Sequence, residues 1–135
     1  MSVFVDETGT DRRDCMRKFG YSLRGKHTKS QKLLIRERRV SAISALSMNG
    51  MLDFSLVCVG VDASTFREFV EKCLLGHLMP FNGSNVHSIV VLDNVSIHHA
   101  GDGVELIESI GALVVFLPPY SPDLNAVEGS EKAWV

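Results

Sequence analysis

Ser88-Ile89-Val90-Val91-Leu92-Asp93-Asn94 is the stretch whose reading decides the fold. Its four consecutive aliphatics, three of them β-branched, predict a strand buried on both faces. Runs of this kind belong to parallel sheets covered by helices. The strand stops at a carboxylate, with Asn94, Ser96, His98 and His99 close behind it. Open α/β sheets take their ligands just beyond the carboxyl ends of strands. Asp93 is therefore the first candidate site residue, and the question becomes which other groups can reach it.

Working outward, residues 102–110 carry Val104, Ile107 and Ile110 ahead of Gly111, the pattern of a short amphipathic helix. Residues 112–117 form a second wholly apolar strand. Pro118-Pro119-Tyr120-Ser121-Pro122 then breaks the chain. Asn125 is placed to cap a last helix, with Glu128 three residues on in a capping pattern. On the other side, Pro80 to Asn85 is a loop, preceded by a helix from a Ser64 cap to about Leu78. Phe66, Phe69, Val70, Cys73 and Leu74 share one face of that helix.

Asn49-Gly50 is the best hairpin signal in the chain, between strands predicted over 39–47 and 51–61. Tyr21 to Leu23 reads as a short strand closed by Gly25, and residues 11–20 as a polar loop. Ser2 to Val5 is a β-prone run ending at the acids and glycine turn of Asp6-Glu7-Thr8-Gly9-Thr10. The order β-β-β-β-α-β-α-β-α predicts an α/β fold with a mixed central sheet, antiparallel hairpin strands first and parallel strands after, flanked by helices. No repeat or low-complexity segment interrupts it.

The 135 residues suffice for one domain, and 45% apolar with 22% charged residues is ordinary for a globular protein. No apolar run approaches the roughly 18 residues of a membrane span, and the first residues do not resemble a signal peptide. Cys15, Cys58 and Cys73 are odd in number and widely spaced, which argues for reduced thiols and against a disulfide framework or zinc site. The net charge of −2 hides an asymmetry. Residues 12–39 hold 11 of the 14 Lys and Arg against two acids, so that window is +9 and the remainder −11. Basic segments attract phosphate backbones, although such a run also serves as a plain solvated face.

Three acids sit where strand ends and a helix start can meet: Asp6, Asp93 and Glu128. Carboxylates gathered there would hold one or two Mg²⁺ or Mn²⁺ ions, which choose oxygen ligands and promote phosphoryl transfer. Plainer roles exist for two of them. Asp6 has turn amides to bond before Gly9, and Glu128 has a capping role. Asp93 is harder to dismiss, because a carboxylate behind four buried aliphatics is costly without a partner. Adjacent His98 and His99 read as polarity at a helix entry rather than as metal ligands.

Leu92-Asp93-Asn94-Val95-Ser96-Ile97-His98-His99, followed by Leu117-Pro118-Pro119-Tyr120-Ser121-Pro122-Asp123-Leu124-Asn125-Ala126-Val127-Glu128, closely resembles the catalytic domain of Tc/mariner superfamily transposases. Phe4-Val5-Asp6-Glu7-Thr8-Gly9 looks like that family's first-aspartate motif, and the resemblance runs from residue 3 to 134. It implies an RNase H-like fold that cuts and joins DNA at transposon ends, with Asp6, Asp93 and Glu128 as catalytic and metal-binding triad. The 34 residues between Asp93 and Glu128 are similar to the branch ending in Glu, and Asn94 and His98 match residues beside the second aspartate. Two Mg²⁺ or Mn²⁺ ions are the implied cofactors. Double-stranded DNA is the implied partner, with a homodimer in the full-length protein and a nuclear location, or cytoplasmic in a bacterial host.

Arg12, Arg13, Arg17, Lys18, Arg24 and Lys26 then fall along the implied DNA path. Ala126 stands where the family usually has Pro, a tolerable change at a first helical turn. The resemblance also implies a catalytic domain trimmed at both ends, without the family's N-terminal helix-turn-helix. Two other readings compete. Asp6-Glu7-Thr8-Gly9-Thr10 with Gly101-Asp102-Gly103 resembles the motifs of haloacid-dehalogenase-like phosphotransferases, but Gly101 follows His98-His99-Ala100 rather than a buried strand. A transposon remnant that binds DNA or a partner without catalysis is the other.

Overall fold

The computed structural model describes residues 1–10, 21–27, 40–58 and 60–127. Within them Ile89–Leu92 is a strand, as its aliphatic run predicts, and Val90 and Leu92 are fully buried. Five strands form one mixed sheet: β1 (Ser2–Thr10), β2 (Val40–Ser47), β3 (Gly50–Val57), β4 (Ile89–Leu92) and β5 (Leu113–Phe116), in the order β3-β2-β1-β4-β5. β1 runs antiparallel to β2 and parallel to β4, and β4 runs parallel to β5.

Strand alternation divides the sheet into two faces. Val3, Val5, Ile43, Ala45, Val90 and Leu92 point to one face and are completely buried. Helix α1 (Ala63–Phe69) lies over that face and runs on through a π-helical segment, Val70–Leu74, and one 3₁₀ turn, Leu75–His77. Its Phe66, Phe69, Val70 and Leu74 enter the core together with Ile107 of α3 (Gly103–Ser109). A further single-turn helix, α2 (Ser96–His99), follows β4. No helix among the described residues is long and apolar enough to cross a membrane. On the opposite face Phe54 and Leu56 of β3, and Leu113 and Val115 of β5, are exposed.

Several expectations are corrected. β1 does not stop at Asp6: the segment Asp6 to Thr10 continues the strand, because β2 pairs with it as far as Thr10 opposite Val40. Glycine and acids mark a turn only where no neighbouring strand claims their amides. Tyr21 to Leu23 is not a strand; it is exposed and leads into a turn in which the Lys26 N–H donates to the Leu23 carbonyl at 2.9 Å.

The hairpin forms, but its two-residue turn is Met48-Asn49, and Gly50 is already the first residue of β3, opposite Ser47. Gly50 takes φ = +120°, a conformation closed to side-chain-bearing residues at low cost. The shift is accommodated by a bulge between Ala45 and Leu46, which leaves Leu52 as the extra residue. Asp62, rather than Ser64, caps α1: its Oδ1 accepts from both the N–H and the hydroxyl of Thr65 at 2.8 Å.

Candidate active site

The parallel ladder between β1 and β4 ends at the pair Val5 and Leu92. The next residue on each strand is an acid, so Asp6 and Asp93 emerge side by side where the ladder stops. Asp6 stays in the sheet, opposite Ser44 of β2, whereas the chain turns away at Asp93 into α2. Both carboxylates line one cleft of about 410 Å³, together with Asn94, Asn125 and the Pro118–Ser121 segment. Tyr120 stands fully exposed on its rim with φ = 57°. A left-handed backbone at a non-glycine residue costs about 1–2 kcal/mol.

Asp6 is held at both oxygens. Its Oδ1 accepts from the Glu7 backbone N–H at 2.8 Å, and its Oδ2 accepts from Asn125 Nδ2 at 2.8 Å. Asn125 in turn accepts at Oδ1 from the Val127 N–H at 3.1 Å. The residue expected as a helix cap therefore does that and also reaches back to the first acid, 119 residues earlier in the chain. Asn94 accepts at Oδ1 from His99 Nε2 at 2.7 Å, and the His99 ring stacks on Phe116 at 4.3 Å.

His98 is not surface polarity at a helix entry, because its side chain is completely buried. Its Nε2 lies 2.8 Å from Asp93 Oδ1 and 3.3 Å from Glu7 Oε1. Each is a close contact of the ring nitrogen with a carboxylate oxygen, and no other partner serves these buried atoms among the described residues. The ring edge meets Phe66 at 4.5 Å between centroids. Burial pushes the His98 pKa below its ordinary value, against the opposing pull of Asp93.

Glu7 is pushed up to about 7, first by burial and then by the negative charges of Asp93 and Asp6. A carboxyl raised in this way adds stability below its ordinary pKa of 4.5, and loses it as pH rises toward 7. His98, lowered by burial, works in the opposite sense over part of that range. The difference between the parent and Glu7→Gln isolates the Glu7 contribution. The Gln variant is expected to gain on the parent between pH 5 and pH 8 by about 1–3 kcal/mol, read from urea unfolding at each pH. A gap that does not change with pH would place Glu7 in water.

Of the residues singled out in the sequence, Asp6, Asp93 and Asn94 are brought to one cleft and His98 lies directly behind Asp93. Glu128, Arg12, Arg13, Arg17 and Lys18 lie outside the described residues. Arg24 and Lys26 are exposed on their turn and do not line the cleft. Glu7 and the side-chain role of Asn125 were not found from sequence. The Asp-Glu pair did carry a signal, because neighbours on a strand point to opposite faces and Glu7 must face the helices if Asp6 does not.

Among the described residues, no three His, Cys, Asp or Glu side chains surround one point. What the cleft offers is two carboxylates and the amide and backbone oxygens of its neighbouring residues. These are hard oxygen donors, and they fit Mg²⁺ or Mn²⁺ better than a thiophilic metal.

A mixed sheet in this order, helices against it and acids at adjoining strand ends, is an RNase H-like fold, shared with solved structures of Mos1 mariner transposase. The Mos1 paired-end complex with Mn matches with a TM-score of 0.72 at 20% identity, over 98% of this chain and 40% of that one. The Mos1 strand transfer complex matches at 0.72 and 20%, covering 98% and 39%. The isolated Mos1 catalytic domain matches at 0.60 and 15%, covering 98% and 57%. The pattern of the DDE superfamily endonucleases fits residues 2–132, and the chain belongs to that family. No curated protein matches it. The chain thus spans about 40% of the length of the first of these Mos1 chains.

Proposed function

We propose that the chain is the catalytic domain of a DNA transposase that cleaves strands at transposon ends and joins them to a target. The observation carrying this reading is the convergence of Asp6 and Asp93 on one open cleft at the end of the β1–β4 ladder. Asp6, Asp93 and Glu128 would hold the divalent ions, in keeping with Mos1 complexes containing Mn and Mg. Ions of this kind supply a more acidic nucleophile oxygen and stabilise charge on the leaving oxygen.

The chain's own residues do the rest. Asn125 fixes the rotamer of Asp6 by donating to one oxygen while the Glu7 amide takes the other. The Pro118–Ser121 segment lines the cleft together with the two acids. Arg12, Arg13, Arg17, Lys18, Arg24 and Lys26 would carry phosphate contacts, which predicts DNA binding that falls steeply with added salt. The substrate is double-stranded DNA, in a homodimer of the full-length protein, in a nucleus or a bacterial cytoplasm.

The testing experiment is an Mn²⁺ titration followed by thermal unfolding, on the parent and on Asp93→Asn. Acids held together repel when empty, and an ion that binds only the native state raises the melting temperature. A rise in the parent that disappears in the variant supports the reading. No rise in either would mean that the acids do not assemble a metal site, and the non-catalytic remnant reading would take over.

A further inference from the structure

The ladder between β1 and β4 ends at the pair Val5 and Leu92, so no strand pairing beyond it sets the distance between the two acids. Beyond Val5 and Leu92, β1 continues with β2 while the chain after Asp93 leaves the sheet. At that fork a side chain takes over. His98 Nε2 sits 2.8 Å from Asp93 on one branch and 3.3 Å from Glu7, the neighbour of Asp6, on the other. The ring is completely buried, so water does not compete for this bridge.

What holds the ring is also unusually specific. Phe66 meets it edge-on, and on its own account Phe66 lies hard against the start of α3. A Cβ added at Gly103 would fall 2.8 Å from two carbons of the Phe66 ring, a distance at which something must move. The contacts thus form a continuous line from Gly103 through Phe66 and His98 to Asp93.

We infer that His98 is a positioning residue, bridging the two strand ends where the ladder stops and setting the spacing of Asp6 and Asp93, with Phe66 and Gly103 fixing the bridge. This rests on the metal-dependent reading of the cleft above. Partners behind metal ligands typically govern affinity by about 10–100-fold. Neither Phe66 nor Gly103 touches the cleft, and both act only through the ring.

The experiment measures Mn²⁺ affinity of the whole 135-residue chain by electron paramagnetic resonance, with circular dichroism on each variant. Four proteins are compared: the parent, His98→Phe, His98→Gln and Gly103→Ala. His98→Phe keeps an aromatic ring but removes the donor, and is expected to weaken Mn²⁺ binding by about ten-fold or more. His98→Gln carries an amide nitrogen of similar reach and is expected to restore most of that loss, which a purely space-filling role for His98 would not allow. Gly103→Ala is expected to weaken binding to an intermediate degree without altering any polar group. If His98→Phe fails to fold, His98→Gln and Gly103→Ala decide the matter by the same readout.

Parent-like affinity in His98→Phe, or in Gly103→Ala, overturns this inference and leaves the function reading intact. A His98→Gln variant as weak as His98→Phe overturns the bridging role as well. Failure of the unsubstituted chain to bind Mn²⁺ overturns the function reading itself, and the inference with it.

Discussion

Asp93→Asn is expected to lower metal-dependent DNA strand cleavage by at least about a thousand-fold, roughly 4 kcal/mol of transition-state stabilisation. The substitution keeps the shape of the side chain and removes its charge. An amide oxygen is a poor substitute for a carboxylate toward a divalent ion, and only one of the two terminal atoms can still ligate. The fold should be untouched, because β4 is held by Val90 and Leu92 in the core and by pairing on both sides. Without metal, the variant should stay close to the parent in stability, since removing this negative charge relieves its repulsion with Glu7 but also gives up its attraction for His98. Nicking of a labelled duplex in Mn²⁺, beside a thermal melt, measures both. Cleavage at parent rates in a folded variant would remove Asp93 from the chemistry.

The largest expected effect on stability is Phe66→Ala, at about 3–5 kcal/mol. The ring is 1% exposed and packs between α3 and the His98 ring. Truncating it loses the transfer energy of a large aromatic. It also leaves a cavity that cannot collapse easily, since its walls include a completely buried histidine tied to two acids. For a chain of this size that loss corresponds to a fall of roughly 10–20 °C in melting temperature. Urea unfolding of the two proteins gives the number. A loss below about 1 kcal/mol would show that the surroundings close over the gap and that the ring is no rigid part of the core.

How much of this was legible depended on the range of the interactions. The run Ile89 to Leu92 announced a buried strand because every residue in it prefers one, and Asp93 stood out because a carboxylate there needs a reason. The helix after residue 62 was legible from its apolar spacing. Its cap was misassigned, since both Asp62 and Ser64 are good caps and only the backbone turn chooses between them. The run Asp6 to Thr10 misled because its residues suit a turn, and pairing with β2 overrode that local preference.

The hairpin was found one residue out of place, since the bulge that absorbs the offset leaves no mark in composition. Least legible were contacts between distant segments. Nothing local in Asn125 points to Asp6, and nothing in His98 foretells Glu7. The acid pair was found because each member sat at the end of its own apolar run, a local mark, whereas the groups supporting them carry none.

The order in which the strands join has a consequence for how the protein folds. β2 and β3 are neighbours in sequence and close across a two-residue turn, at little cost in loop entropy. β1 and β4 pair in parallel across most of the chain, so the loop they close is long and its entropy must be spent before the contact repays it. The hairpin is expected to be secured early and the β1–β4 ladder late, with amides of β2 and β3 gaining protection first in pulsed hydrogen exchange. Asp6 and Asp93 approach each other only through that late ladder. Their mutual repulsion is therefore deferred until most of the hydrophobic core is in place to oppose it, and a partly folded chain presents no assembled acid site.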